Sequence, residues 1–230
     1  MSSMLRTACV LGLVAIATSA QANRPLNTDT ADTIPEHRCQ FEPYAAINRS
    51  SGAPSERLWL LQLNCGVTPH TQLGIVWSHE AAGDESQRTL AVGGKTNFIE
   101  LKDDQTGVAV NYGATAAAPN GASLSGDLVF ATLIATRQLT PSLLGHVNLG
   151  TSHSRASRQQ STNWAAAFEW TVAPRVVLSG ETYGDDHARP WVGAGLWFGW
   201  RENFSVNVSV GAQTSNPRVR QATAGFNFEF

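Results

Sequence analysis

The sequence predicts an all-β chain: a transmembrane antiparallel β-barrel of about 12 strands, with short turns at one end and longer loops at the other. Three observations carry this. From Arg38 onward, segments of about ten residues rich in Val, Leu, Phe, Trp, Ala and Thr return twelve times, each bounded by turn residues. The connections between them alternate in length. The chain closes on ATAGFNFEF, where Phe226, Phe228 and Phe230 alternate with Asn227 and Glu229. That is the period of a strand whose two faces meet different surroundings.

The segments run approximately 38–48, 57–66, 70–81, 87–101, 105–116, 125–138, 142–153, 160–172, 174–185, 190–200, 203–213 and 219–230. Each is near the roughly nine to eleven residues that a tilted strand needs to cross hydrocarbon. Ten strands would remain if segment 38–48 and one neighbour were irregular. One set of connections is short: VTPH (67–70), KDDQ (102–105), LTPS (139–142), VAPR (172–175) and WREN (200–203). The other is longer and polar: 48–57, 81–87, 114–126, 152–160, 184–190 and 213–220. In an outer-membrane barrel the short turns are periplasmic, and an even strand number places both termini on that side.

The later strands separate their faces cleanly. In NFSVNVSVGAQ, Phe204, Val206, Val208 and Val210 oppose Ser205, Asn207, Ser209 and Gln213; in TNWAAAFEWTV, Trp164, Phe168 and Trp170 oppose Asn163 and Glu169. A soluble β-sandwich would put a more charged polar face outside, whereas here that face is mostly Ser, Asn, Gly and Ala with isolated charges. Trp59, Trp77, Trp164 and Trp191 fall near the long-loop ends, and Trp170, Trp200, Phe204 and Phe230 near the short-turn ends. Two aromatic girdles are expected where a barrel meets the two interfaces. Phe226, Phe228 and Phe230 then form a lipid-facing closing strand that needs no protein cover. That terminal strand is also the expected contact for the barrel-assembly machinery, with outer-membrane lipid as the other partner. Gly93-Gly94 before Lys95 reads as a β-bulge that turns Lys95 inward.

The other end supplies an export signal. MSSMLRTACVLGLVAIATSAQA has one Arg, an apolar stretch from Ala8 to Ala17 and an A-x-A site at Ala20-Gln21-Ala22, so 1–22 reads as a cleaved signal peptide. Its loss takes Arg6 and leaves 15 basic against 18 acidic residues, a net charge of −3. Nothing in that balance points to nucleic acid. Residues 23–37, NRPLNTDTADTIPEH, are polar and aperiodic and read as a periplasmic N-terminal tail, leaving the barrel to 38–230.

Cys39 and Cys65 remain after Cys9 leaves with the leader. An exported pair suggests a disulfide. Cys39 begins the first strand and Cys65 nearly ends the second, so an antiparallel hairpin brings both to the turn end, on one face. Neighbouring strands supply the Cβ separation of about 4 Å that the bond needs.

Five stretches, RPLNTDTADT, CQFE, CGVTP, GETYGDD and the terminal FNFEF, together resemble a family of small proteobacterial outer-membrane proteins named after the MetA pathway of phenol degradation. The resemblance covers essentially the mature chain. It implies an outer-membrane barrel with an uptake role and supplies no catalytic residues, and phenol as the ligand does not follow from it.

The functional candidates are the polar residues expected on the lumen face: Glu42, Lys95, Asn111, Arg137, His146, Asn148, Glu169, Glu181, Asn207 and Glu229, with Gln62, Asn64, Gln72 and Asn227 beside them. An excess of acids there would make a weakly cation-preferring path for small solutes, since rings of charge select ions in a pore. The competing reading is a packed polar interior whose charges pair and hold the barrel shut, leaving external loops to act in adhesion or structure. No enzyme is expected. His153 and Ser154, adjacent on one strand, point to opposite faces and do not form a base and nucleophile. Asp185, Asp186 and His187 sit in a loop without the distant ligands a metal site needs. Neither metal nor cofactor is expected.

Overall fold

A computed structural model describes residues 26–230 except 104, 156 and 215–217. The expected signal peptide, 1–22, and residues 23–25 of the expected tail lie outside the described residues. Twelve strands follow one another: β1 (Cys39–Arg49), β2 (Glu56–Thr68), β3 (Thr71–Ala82), β4 (Glu85–Ile99), β5 (Gly107–Pro119), β6 (Ser125–Thr140), β7 (Leu143–Ser154), β8 (Gln159–Ala173), β9 (Val176–Asp185), β10 (Trp191–Arg201), β11 (Phe204–Gln213) and β12 (Arg220–Glu229). Each pairs antiparallel with its sequence neighbours, and β12 closes on β1, so no sheet edge is left open. In hydrocarbon that closure is obligatory, because an unpaired backbone group has no water to bond.

The closing seam explains the terminal aromatics. Asn227 is buried, whereas Phe226 and Phe228 remain 37% and 39% exposed on the outer face. Phe226 packs against Phe204, with ring centroids 5.5 Å apart, and Phe228 lies over Phe230 at 5.7 Å. Phe230 is also tied down through its backbone: Cys39 N–H donates to its carbonyl at 2.8 Å, and its own N–H donates to Cys39 O at 2.9 Å. Cys39 stands directly opposite Cys65 in the β1–β2 register, and the two form a disulfide.

Burial is inverted relative to a soluble domain. Mid-strand Leu133, Val147, Leu149 and Val208 are at least half exposed, while Gln40, Glu42, Asn64, Lys95, Asn97, Asn148 and Asn207 are buried. Exposed aliphatics outside and buried amides inside are the arrangement of a barrel whose outer wall meets lipid. No helix among the described residues is long and apolar enough to cross a membrane, which says nothing against crossing by strands.

Several sequence expectations differ from the structure. Gly93 and Gly94 pair in unbroken register with Gly74 and Leu73 on one side and Gly113 and Tyr112 on the other, so there is no bulge and Lys95 faces inward by plain alternation. A Cβ on Gly93 would stand 2.5 Å from the Tyr112 carbonyl; close backbone approach is the reason for glycine here. Trp191 belongs to the inner face, not to the loop-end girdle: it alternates with exposed Val192 and stacks on Tyr183 with the rings 6.1 Å apart. The length contrast between the two ends is also smaller than expected. The strands extend into the loops until 83–84 alone joins β3 to β4, and 100–106 is a comparatively long connection at the turn end.

The largest difference concerns residues 26–37. The sequence reads them as a tail outside the barrel, yet residues 26–34 run inside it: Leu26, Thr28, Thr30, Ala31 and Ile34 are all buried, and 35–37 are exposed at the turn end. At the turn end Arg38 N–H bonds the Pro35 carbonyl at 3.1 Å, and His37 takes a positive φ of 64°, which reverses the chain from the lumen into β1. Gly66 makes the reversal fit. A Cβ there would lie 2.2 Å from the Pro35 carbonyl and 2.4 Å from that of Ile34.

Candidate functional site

The site is the lumen, and residues 26–34 run through it as an inner segment held by the side chains of six strands. A polar chain without its own secondary structure must find partners for its backbone amides when buried, and the lumen supplies them. Gln72 on β3 accepts from Ile34 N–H at 2.8 Å, and Asn97 on β4 donates to the Ala31 carbonyl at 2.7 Å. Thr136 on β6 accepts from Ala31 N–H at 2.9 Å, and its hydroxyl lies 3.0 Å from His146 Nδ1 on β7. Asn148, with its amide oriented to match donors to acceptors, accepts from Asp29 N–H at 2.8 Å and donates to Asp29 O at 3.0 Å. Ala31 packs with Ala109 of β5 and Ile134 of β6, an apolar contact inside the otherwise polar lumen.

Two charged contacts fix the upper half of the segment. Lys95 Nζ donates to Asp29 Oδ1 at 2.9 Å and to the Thr30 carbonyl at 3.0 Å, while Asn111 Nδ2 reaches Asp29 Oδ2 at 3.1 Å. Higher up, the Glu181 carboxylate of β9 collects five hydrogen bonds at 2.8–3.0 Å, from both backbone and side chain of Asn27 and Thr28. Such charge-assisted bonds, made away from bulk water, are among the stronger available to a protein. Lower down, burial pushes the Asp32 carboxyl above its ordinary pKa, opposed by the pull of the Lys95 ammonium.

Space remains on both sides of the segment. Beside residues 26–29 of the segment, a cavity of about 260 Å³ is lined by Lys95, Asn111, Glu42, Gln62 and Asn64, and toward the loops another of about 310 Å³ is lined by Tyr183, Trp191, Asn148 and Asn163. Toward the turns, a cavity of about 500 Å³ reaches Asp32, Asn97, Gln138 and Glu169.

Of the residues singled out in the sequence, Lys95, Asn111, Asn148 and Glu181 meet directly on the inner segment, and His146 reaches it through Thr136. Glu42, Glu169 and Asn207 are buried on the inner face, and Glu229 alternates with outward Phe228. Arg137 is a correction. Thr136 beside it points into the lumen, so Arg137 points out, where it donates to Thr106 Oγ1 at 3.3 Å. Asp29, Asn97 and Thr136 are site residues that the sequence reading missed. The one available signal was electrostatic: a lysine predicted inside a lumen requires a counter-charge.

The residues weighed for catalysis stay apart. His153 is exposed on the outer face, and Ser154 turns inward to donate to Asp127 Oδ1 at 3.0 Å. Asp185 accepts from the N–H groups of His187 and Ala188, both at 2.7 Å, and so serves as a loop cap. Among the described residues no three His, Cys, Asp or Glu side chains are grouped to hold a metal ion.

Comparison with solved structures places the fold among outer-membrane barrels. An outer-membrane channel from Pseudomonas putida F1 superposes with a TM-score of 0.64 at 11% identity, covering 89% of this chain and 100% of that one. The KdgM porin, solved with disordered oligogalacturonate, gives 0.59 at 10% identity over 83% and 99%. Outer membrane phospholipase A from Escherichia coli gives 0.52 at 11% identity over 91% and 94%. At these identities the likeness is one of fold, and it spans both porins and an enzyme. No curated protein sequence matches the chain. The resemblance read from the sequence therefore holds at the level of the outer-membrane barrel, and the phenol-pathway name does not accompany it. The family model that does match covers residues 10–230, and the chain belongs to the family described as Uncharacterised conserved protein UCP029691.

Proposed function

We infer that this chain is an outer-membrane channel for small solutes, with its inner segment as the constriction. One observation carries the reading: a polar-walled lumen keeps cavities of about 310 and 500 Å³ toward its two ends, with hydrogen-bonded chain between them. A barrel built only as a scaffold gains nothing from chambers lined by buried amides, whereas a channel needs wet vestibules and a narrow part that selects. The reading of a weak preference for cations is supported by the excess of acidic over basic side chains on the inner face, Glu42, Glu169, Glu181 and Glu229 against Lys95. The short turns and the chain's closing seam then face the periplasm.

The extent of hydrogen bonding along the segment favours a second reading, a closed barrel acting through its external loops in adhesion or structure. Planar-bilayer recording of the refolded mature protein separates the two, with a variant lacking residues 26–34 as the comparison. A channel gives small current steps that grow several-fold when the segment is deleted, with a reversal potential on the cation side of zero in a salt gradient. Silence from both folded proteins would leave the closed barrel standing.

A further inference from the structure

The outer wall carries arginines at the long-loop end that the chain does not neutralise. Arg49 ends β1, Arg220 begins β12, and the two stand directly opposite each other in the closing seam. Arg57 of β2 pairs with Ile47, two residues from Arg49 along β1, and so is the diagonal neighbour of Arg49. All three are exposed, and each alternates with an inward residue, Asn48, Glu56 or Gln221. These inward residues bond one another: Asn48 Nδ2 donates to Glu56 Oε2 at 3.1 Å, and Gln221 Nε2 to Asn48 Oδ1 at 3.0 Å. Glu56, the acid beside the arginines in sequence, is therefore spent on the other side of the wall. Among the described residues no ion pair reaches Arg49, Arg57 or Arg220. The flanking loops SSGAPS (50–55) and TSNPRV (214–219) contain no acid and add Arg218. Directly opposed side chains on a sheet have Cβ atoms about 4.5–5.5 Å apart, where like charges destabilise the pair. A seam closed by two opposed arginines calls for an anion between them.

We propose that Arg49, Arg57 and Arg220 form a phosphate site for a lipid of the outer leaflet, the phosphorylated glycolipid lipopolysaccharide, whose acyl chains lie on the β12–β1–β2 wall. Depth selects a lipid. Trp59, exposed on the same outer face, is two residues from Arg57 toward the middle of the wall, about 7 Å along the strand. Tryptophan on a membrane wall sits at headgroup level, so the guanidinium groups reach the layer where lipid phosphates lie. Below the arginine pair, Ile47 and Ala222 face outward opposite each other and offer an apolar surface to acyl chains. Chemistry selects phosphate, because the planar guanidinium fork binds its oxygens bidentately. The long-loop end selects the outer leaflet. The proposal rests on the orientation in which the short turns are periplasmic, and it is independent of whether the lumen conducts. An occupied site would also relieve the opposed arginines where β12 closes on β1.

Native mass spectrometry of the folded mature protein in detergent micelles, titrated with diphosphorylated lipid A, tests this. One retained lipid A per barrel is expected, bound about tenfold more weakly by the Arg49→Gln, Arg57→Gln, Arg220→Gln triple variant. Dephosphorylated lipid A is expected to bind both proteins equally and weakly. A control triple variant, Arg155→Gln, Arg158→Gln, Arg189→Gln, removes the same charge from exposed loop positions between other strands and is expected to bind lipid A like the unaltered protein. If the first triple variant fails to fold, as judged by heat-modifiable gel migration, Arg49→Gln and Arg220→Gln take its place singly, each expected to weaken binding several-fold. Equal retention of lipid A by the unaltered protein and the seam variants overturns the proposal. Equal loss in both triple variants also overturns it, since net charge alone would then account for binding. Displacement of lipid A by equimolar inorganic phosphate, or phosphatidylglycerol held as tightly as lipid A, overturns the glycolipid as the occupant.

Discussion

Lys95 shows how one residue can organise a lumen. A lysine buried among neutral amides would carry an uncompensated charge, and Asp29 removes that cost from within the same chain at 2.9 Å. Lys95→Met therefore leaves Asp29 without its cation and frees the segment from its central anchor. Hydrogen exchange at the amides of Thr28, Ala31 and Ile34 is predicted to accelerate at least about tenfold, with strand amides unchanged, since local opening and global unfolding are separable. Unaltered exchange would show that the ion pair is incidental. Gly66 supplies an independent lever at the other end of the segment. A valine there places carbon where the Ile34 and Pro35 carbonyls now lie, within 2.2–2.4 Å. Gly66→Val is predicted to expel the segment's base while the β1–β2 pairing persists, making the chain cleavable by added protease between 26 and 37.

Elements were legible where their period was simple. All twelve strands were readable within a few residues of their ends, because alternation and turn residues mark a half-wet strand directly. Orientation failed where both faces of a strand look alike. In β6, Leu133 and Ala135 point out and Ile134 points in, so nothing apolar distinguishes the faces, and Arg137 could be placed only by its neighbour Thr136. In β10 the signal existed in the glycines: Gly193, Gly195 and Gly199 share the parity of Trp191, opposite Leu196 and Phe198. The inner segment had no period to read, since its partners are side chains of other strands. At this scale the β1–β2 hairpin carries a prediction. Its disulfide closes a loop across a separation of 26 residues, which in the chain-entropy model contributes about 3 kcal/mol. The Cys39→Ser, Cys65→Ser double variant should lose stability of about that size in reversible urea unfolding from liposomes, and an unchanged midpoint would count against the hairpin's role in the seam.

At the scale of the whole molecule the barrel is a closed wall with a chain threaded through it, and its function depends on whether that chain occupies the lumen in the membrane. The backbone ladder of the wall does not need the segment: every strand is paired on both sides by other strands. The segment needs the wall, because each of its bonds described above ends on a lumen side chain. This asymmetry is what a removable constriction requires. The most direct test pairs cysteines at Ala31 and Ala109, which pack together with no solvent exposure. In isolated outer membranes, mild oxidation of the Ala31→Cys, Ala109→Cys protein should join the two positions in most molecules, read as a cross-linked peptide by mass spectrometry after proteolysis. Absence of that peptide, with the Cys39–Cys65 bond intact in the same digest, would place the segment outside the barrel and contradict the account.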